Sequence, residues 1–156
     1  MQGLIASRNG PRRKAACRGF TLIETMIAVG IVGVLSSLAY PSLEGHVLRA
    51  RRTDGLVALM QAQLAQERYR ANNRTYGDLA EIGLRGASMS GYYTLQVTSS
   101  SIDGYEVVAT ATGRQARDGS CQTLRLAAYG AGVGYASGPD ASASNPPDVN
   151  RKCWNQ

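Results

Sequence analysis

The chain has 156 residues and a mass of 16.6 kDa, which leaves room for one modest domain and a short appendage but not for a multidomain enzyme or a solenoid array. Its formal charge is +6, yet five of the 17 basic side chains (Arg8, Arg12, Arg13, Lys14 and Arg18) precede Gly19 with no acid among them, so the remainder carries 12 basic against 11 acidic groups. A nucleic-acid binder carries its positive field on the folded domain, and here that part is nearly neutral.

After the basic leader, residues 20–40 run FTLIETMIAVGIVGVLSSLAY, 21 residues with Glu24 as the one ionisable side chain. About 20 apolar residues at about 1.5 Å rise each span a bilayer. The basic leader places the N-terminus in the cytoplasm and the C-terminus across the membrane. Three readings compete: a secretory signal cut after Ser37-Leu38-Ala39, a permanent signal anchor, or a leader cut after Gly19 that leaves the apolar helix in the mature protein. Glu24 separates them. A carboxylate in hydrocarbon costs roughly 2.5–3.5 kcal/mol on insertion scales, an expense of no use to a generic signal or a lipid-facing anchor. Cleavage after Gly19 would expose the α-amino group of Phe20 about one turn from Glu24. Between staggered copies the two charges could neutralise each other in an apolar bundle.

The string Gly19-Phe20-Thr21-Leu22-Ile23-Glu24 and the apolar run behind it resemble the class III signal of type IV pilins and type II secretion pseudopilins. The resemblance implies that a prepilin peptidase cuts between Gly19 and Phe20 on the cytoplasmic face and N-methylates Phe20, and that Glu24 serves assembly. Gly30, Gly33 and Pro41 fall where such helices bend or unwind. The leader of 19 residues is longer than many, and Thr25 stands where Leu or Met is more usual.

Pro41 is expected to kink rather than end the helix, which should run from Phe20 to near Ala71, 52 residues or about 78 Å. A domain of this size cannot cover so long a rod. Leu43, Val47, Ala50, Val57, Met60 and Leu64 fall on one side of a 3.6-residue wheel and are the stripe expected to meet the domain's sheet. Gly55 weakens the helix by about 1 kcal/mol relative to Ala. Asn72 to Asp78 is turn sequence, and the formal sequon Asn73-Arg74-Thr75 is read as turn only. Strands are expected at 92–98, 105–111 and 122–127, joined by turn formers into an antiparallel meander whose Leu95, Val97, Leu124 and Leu126 cover the helix. This gives an α+β unit, a long N-terminal helix on a small antiparallel sheet, the fold the resemblance also implies.

Beyond Tyr129 the sequence is Gly-, Ala- and Ser-rich, and the Gly130–Gly134 stretch is expected to be flexible turn sequence. Of the three cysteines Cys17 sits in the leader, and with no CxxC pair and His46 as the one histidine a metal site has no support. A Cys121–Cys153 disulfide is the simpler reading; it implies an oxidising compartment and is expected to hold down the tail, with Trp154 docking beside it. That layout resembles the disulfide-bounded C-terminal region of type IV pilins, and Gln66-Glu67-Arg68-Tyr69, Tyr92-Tyr93 and Cys153-Trp154 are similar to PilE-type minor pilins.

The expected organisation is a cleaved leader (1–19), a transmembrane or filament-core helix (20–42), its amphipathic continuation (43–72) and a globular β domain (73–156). No catalytic residue, metal, cofactor or small-molecule substrate is expected. Arg49-Ala50-Arg51-Arg52 is suited to phosphate at a membrane surface. The resemblance implies a minor structural subunit of a type IV pilus. Its partners would be other pilins, prepilin peptidase, an inner-membrane assembly platform and, before assembly, membrane lipid. It would move from the bacterial inner membrane, with its C-terminal domain periplasmic, to the surface pilus. A type II secretion pseudopilin or a major pilin is the alternative, and a DNA-uptake pilin is disfavoured by the near-neutral mature charge.

Overall fold

A computed structural model describes residues 19–156, with the side chains of residues 38–42 outside the description. The leader up to residue 18, Cys17 included, lies outside the described residues. The chain divides into two compact units, one ending at Ala39 and one running from Tyr40 to Gln156.

Helix α1 is Leu22–Asn72, 51 residues, and its helical hydrogen bonding continues through Pro41. Thr21 caps its start, where the Glu24 amide donates to Thr21 Oγ1 at 3.3 Å. At the other end the side-chain amides of Asn72 and Asn73 donate to the carbonyls of Arg68 and Tyr69 at 3.1 and 3.0 Å, and the Asn73 N–H also donates to Tyr69 at 2.9 Å, which reinforces the last turn.

The sheet is an antiparallel meander in the order β1-β2-β3-β4: β1 Tyr93–Ser100, β2 Gly104–Ala111, β3 Thr123–Tyr129 and β4 Gly132–Gly138. The first three match the alternating segments seen in sequence. The fourth corrects the expectation of flexible turn sequence after Tyr129. Tyr129 pairs with Gly132 across the two-residue turn Gly130-Ala131, and Gly130 takes φ 59°, the left-handed geometry that lets a tight hairpin follow the strand twist. β4 is held by its backbone ladder to β3 rather than by apolar alternation, so a pattern search passes over it.

Tyr93, Leu95, Tyr105, Val107, Ala109, Leu124 and Leu126 share the inner sheet face and pack against α1. The helix side that meets them is not the stripe expected from sequence. Leu48, Gly55, Leu56, Leu59, Ala62 and Gln66 are buried, whereas Leu43, Val47, Val57, Met60 and Leu64 are exposed. The reason is volume. The inner face of the sheet brings the large ring of Tyr93 against the helix, which accommodates it at Gly55, while Leu56 and Leu59 fill the core around it. A β-carbon on Gly55 would stand 2.9 Å from Tyr93 Cδ2. Gln66, fully buried, spends both ends of its amide on Gly77, donating to the carbonyl at 2.7 Å and accepting from the N–H at 3.0 Å, which fastens the chain leaving the helix.

Two 3₁₀ turns, Gly113–Arg117 and Gly119–Cys121, link β2 to β3, and a short helix α2, Pro147–Cys153, closes the chain. Cys121 and Cys153 are joined by a disulfide with their Cα atoms 5.4 Å apart.

Candidate assembly interface

In the first unit α1 has no side-chain shelter. Phe20, Leu22, Ile23, Met26, Ile27, Val29, Ile31, Val32, Val34 and Leu35 are 55–81% exposed, and they face every side of the helix. Gly30 and Gly33 have nothing within 4 Å of where a β-carbon would stand. Glu24 is exposed and lies four residues from Phe20. Among the described residues its carboxylate takes part in no hydrogen bond or ion pair; the Thr21 contact engages its backbone N–H. Thr21-Leu22-Ile23-Glu24 is the Thr-x-x-Glu signature of a helix start, a local role that sequence reading passed over, although the reciprocal bond from Thr21 N–H to the Glu24 side chain is not among those formed. Among the described residues no helix is long and apolar enough to cross a membrane.

In the second unit a polar cluster ties α1 to the 3₁₀ turns. Arg52 donates Nε and Nη2 to the two carboxylate oxygens of Asp118 at 2.5 and 2.6 Å, and Nη1 to the carbonyl of Lys152 at 3.2 Å. The Asp118 bond raises the guanidinium's affinity for its proton, against the opposing effect of burial. Gln115, also buried, donates Nε2 to the Leu48 carbonyl at 3.0 Å, Asp118 at 3.1 Å and the Tyr93 hydroxyl at 3.2 Å. Burial pushes the Tyr93 phenol up to about 12. Asp54 accepts from the Ser88 hydroxyl at 2.5 Å and from the Ser90 and Tyr92 amides at 3.0 and 3.4 Å. Burial works to raise its pKa, but these bonds together leave it below the ordinary value. None of these roles is visible in sequence, because Arg52 and Asp54 find partners 34 or more residues away and Gln115 reaches back 67 residues to Leu48.

The tail is fastened at several points besides the disulfide. Ser137 donates to Asn150 Oδ1 at 2.7 Å, Asn145 Nδ2 donates to the Ser120 carbonyl at 2.7 Å, and Trp154 Nε1 donates to the Ala136 carbonyl at 3.1 Å. The Trp154 ring packs on Tyr135 at 4.7 Å between centroids. Arg125 reaches the carbonyls of Ala141 and Ala143 at 2.8 Å each. His46 is exposed, and among the described residues no His, Cys, Asp and Glu cluster forms a metal site.

The surface left over is the outer side of α1. Leu43, Val47, Val57, Met60 and Leu64 line it, and Met89 is 87% exposed. Single exposed aliphatics are ordinary, but a row of them along one helix face marks a contact surface.

Residues 14–40 match the family model "Prokaryotic N-terminal methylation motif", and residues 41–125, more than half the chain, match "Type IV minor pilin ComP, DNA uptake sequence receptor". Curated relatives include the type IV major pilin protein PilA of Myxococcus xanthus, 37% identical over 49% of this chain and 34% of that protein. The type II secretion system core protein G of Pectobacterium carotovorum is 37% identical over 38% of each chain. The type IV wide pilus major component of Thermus thermophilus is 32% identical over 62% of this chain and 75% of that protein. The chain thus spans only about a third to two fifths of the length of the first two relatives.

Proposed function

The chain belongs to the type IV pilin family, and from that premise we propose that it is a minor structural subunit of a type IV pilus. In this reading the precursor is held in the inner membrane, cut between Gly19 and Phe20, N-methylated at Phe20, and drawn into the filament through α1 by an assembly platform. The work is structural, and no catalytic residue is assigned. The observation that carries the reading is the sleeve of exposed aliphatic side chains around α1 from Phe20 to Leu35. At roughly 25 cal/mol per Å² of apolar surface, leaving it in water is strongly unfavourable, and lipid first and other copies afterwards remove it. Glu24 supports the same reading. With an exposed carboxylate in the apolar segment, it suits the new amine of Phe20 on a neighbouring copy better than it suits lipid.

Intact mass of the protein recovered from sheared pili tests this. The expected product begins at Phe20 and carries one methyl group, at a small fraction of the major subunit's abundance. A product beginning at Tyr40, or one retaining the leader, overturns the reading; a methylated Phe20 product that makes up the shaft corrects minor to major.

A second reading, a subunit for DNA uptake, is favoured by the family model matched over residues 41–125, while the near-neutral charge beyond Gly19 speaks against it. Binding of the purified chain to duplex DNA that weakens steeply with salt would support it, and no retention at low salt would reject it.

A further inference from the structure

At the start of the second unit α1 and the first 3₁₀ turn enclose a shallow groove lined by Leu43, Glu44, Val47, Leu48, Arg51 and Arg114. Its floor is aliphatic and its rim is basic. Glu44, the acid on that rim, is engaged by Arg117 Nη1 at 3.4 Å, so its charge is already countered. Arg51 lies over the Tyr92 ring, its guanidinium carbon 4.6 Å from the centroid. Stacking occupies a face of the guanidinium and leaves its N–H edge open to an anion. Among the described residues neither Arg51 nor Arg114 has a carboxylate partner. Arg49, two residues before the half-buried Arg51, adds an exposed cation as Arg114 does. Leu43 comes only four residues after Ala39, where the first unit with its apolar sleeve ends. If that sleeve is in a bilayer, the chain delivers the groove to the depth of the headgroups.

We propose that this groove binds the headgroup of an anionic phospholipid, Arg51 and Arg114 holding the phosphate and Leu43 and Val47 lying against the upper acyl chain. The site rests on the reading of the chain as membrane-held before assembly. It would fix the domain against the membrane until the subunit is extracted. A basic rim on an aliphatic floor matches an amphiphile with a phosphate at the junction. A free phosphate would use the rim and leave the floor wet, and a second copy that met the groove with the same side of α1 would bring only Glu44 and Asp54 between Leu43 and Leu64, both already engaged.

Hydrogen exchange of the full chain in lipid nanodiscs tests this. Peptides over residues 43–52 and 113–117 should exchange several-fold more slowly in phosphatidylglycerol discs than in phosphatidylcholine discs, with no change over β2 and β3. Arg51→Gln/Arg114→Gln should abolish the difference, each arginine weakening lipid binding roughly fivefold, while Arg85→Gln/Arg151→Gln, which removes equal charge elsewhere, should preserve it. Equal exchange in the two lipids, with the chain retained by both kinds of disc, overturns the groove and leaves the membrane-held reading standing. A chain retained by neither overturns both. Protection restored in phosphatidylcholine discs by inorganic phosphate, or by a second copy per disc, or lost equally in both double variants, also overturns the lipid assignment.

Discussion

Gly55→Ala is the sharpest test of how α1 meets the sheet, because two effects of similar size oppose each other there. Alanine in a helix interior is favoured over glycine by about 1 kcal/mol through backbone entropy. The added methyl would stand 2.9 Å from Tyr93 Cδ2 and 3.0 Å from Cγ, closer than side-chain carbons pack. Those atoms are at the root of a ring that is fully buried and held at its hydroxyl by Gln115, so the ring has nowhere to swing. Overpacking of this kind costs about 1–3 kcal/mol, and with so stiff a neighbour the upper part of that range applies, leaving a net loss of about 1–2 kcal/mol. Gly45 is the control, since nothing lies within 4 Å of its β-carbon position, and Gly45→Ala should stabilise by up to about 1 kcal/mol. Urea unfolding of the full chain in detergent, followed by the emission of Trp154, the one tryptophan, reads both. At an m-value of about 1.5 kcal/mol/M the first variant should unfold about 1 M earlier and the second somewhat later. An alanine at 55 that equals or exceeds the native stability would refute the packing argument.

Asp118→Ala should destabilise by about 3 kcal/mol, because it strands the largely buried Arg52 without its carboxylate; calorimetry of that variant beside Arg52→Met/Asp118→Ala should show partial recovery in the double change. Asp54 has a carboxyl held below the ordinary value, so its contribution is complete above about pH 4, the unfolded value, and fades as pH falls through the lower folded one; Asp54→Asn should flatten that part of the acid stability profile. Tyr93 works in the opposite direction. Its folded pKa of about 12 exceeds the unfolded value of about 10, so its contribution is intact below pH 10 and lost as pH rises through 12, and a phenolate absorbance titration should show a late component that Tyr93→Phe reduces by one tyrosine, leaving that of Tyr105, which burial also pushes up. Cys121→Ser/Cys153→Ser should lower stability by roughly 3–4 kcal/mol if loop entropy dominates, measured as a shift of the same urea transition.

The sequence analysis and the structure agree where the signal is local or chemically unambiguous. The long helix, three alternating strands and the inward set Leu95, Val97, Leu124 and Leu126 follow from periodicity, and the pairing of Cys121 with Cys153 follows from the position of the third cysteine. Periodicity points to the wrong side of α1 because it reports where aliphatic residues lie, not which partner they meet. This helix has two such sides, and the one against the sheet is the less hydrophobic to read, with Gly55 making room for the Tyr93 ring and Gln66 turned in to bond Gly77. β4 escapes a pattern reading because Gly132, Gly134 and Gly138 carry no alternation, although Gly130-Ala131 between two segments is a usable hairpin signal. For the proposed assembly surface, Phe20 and Glu24 are singled out by the cost of an acid among aliphatics. Arg51 was legible only as a charge, since its neighbour Arg114 is brought to it by folding.

Because α1 turns Leu56, Leu59, Gly55 and Ala62 inward and a second set of aliphatic residues outward, recognition of its own sheet and recognition of anything outside are written on opposite sides of one rod. Substitutions along Val57, Met60 and Leu64 can therefore retune what the molecule sits against while the fold that carries them stays as it is.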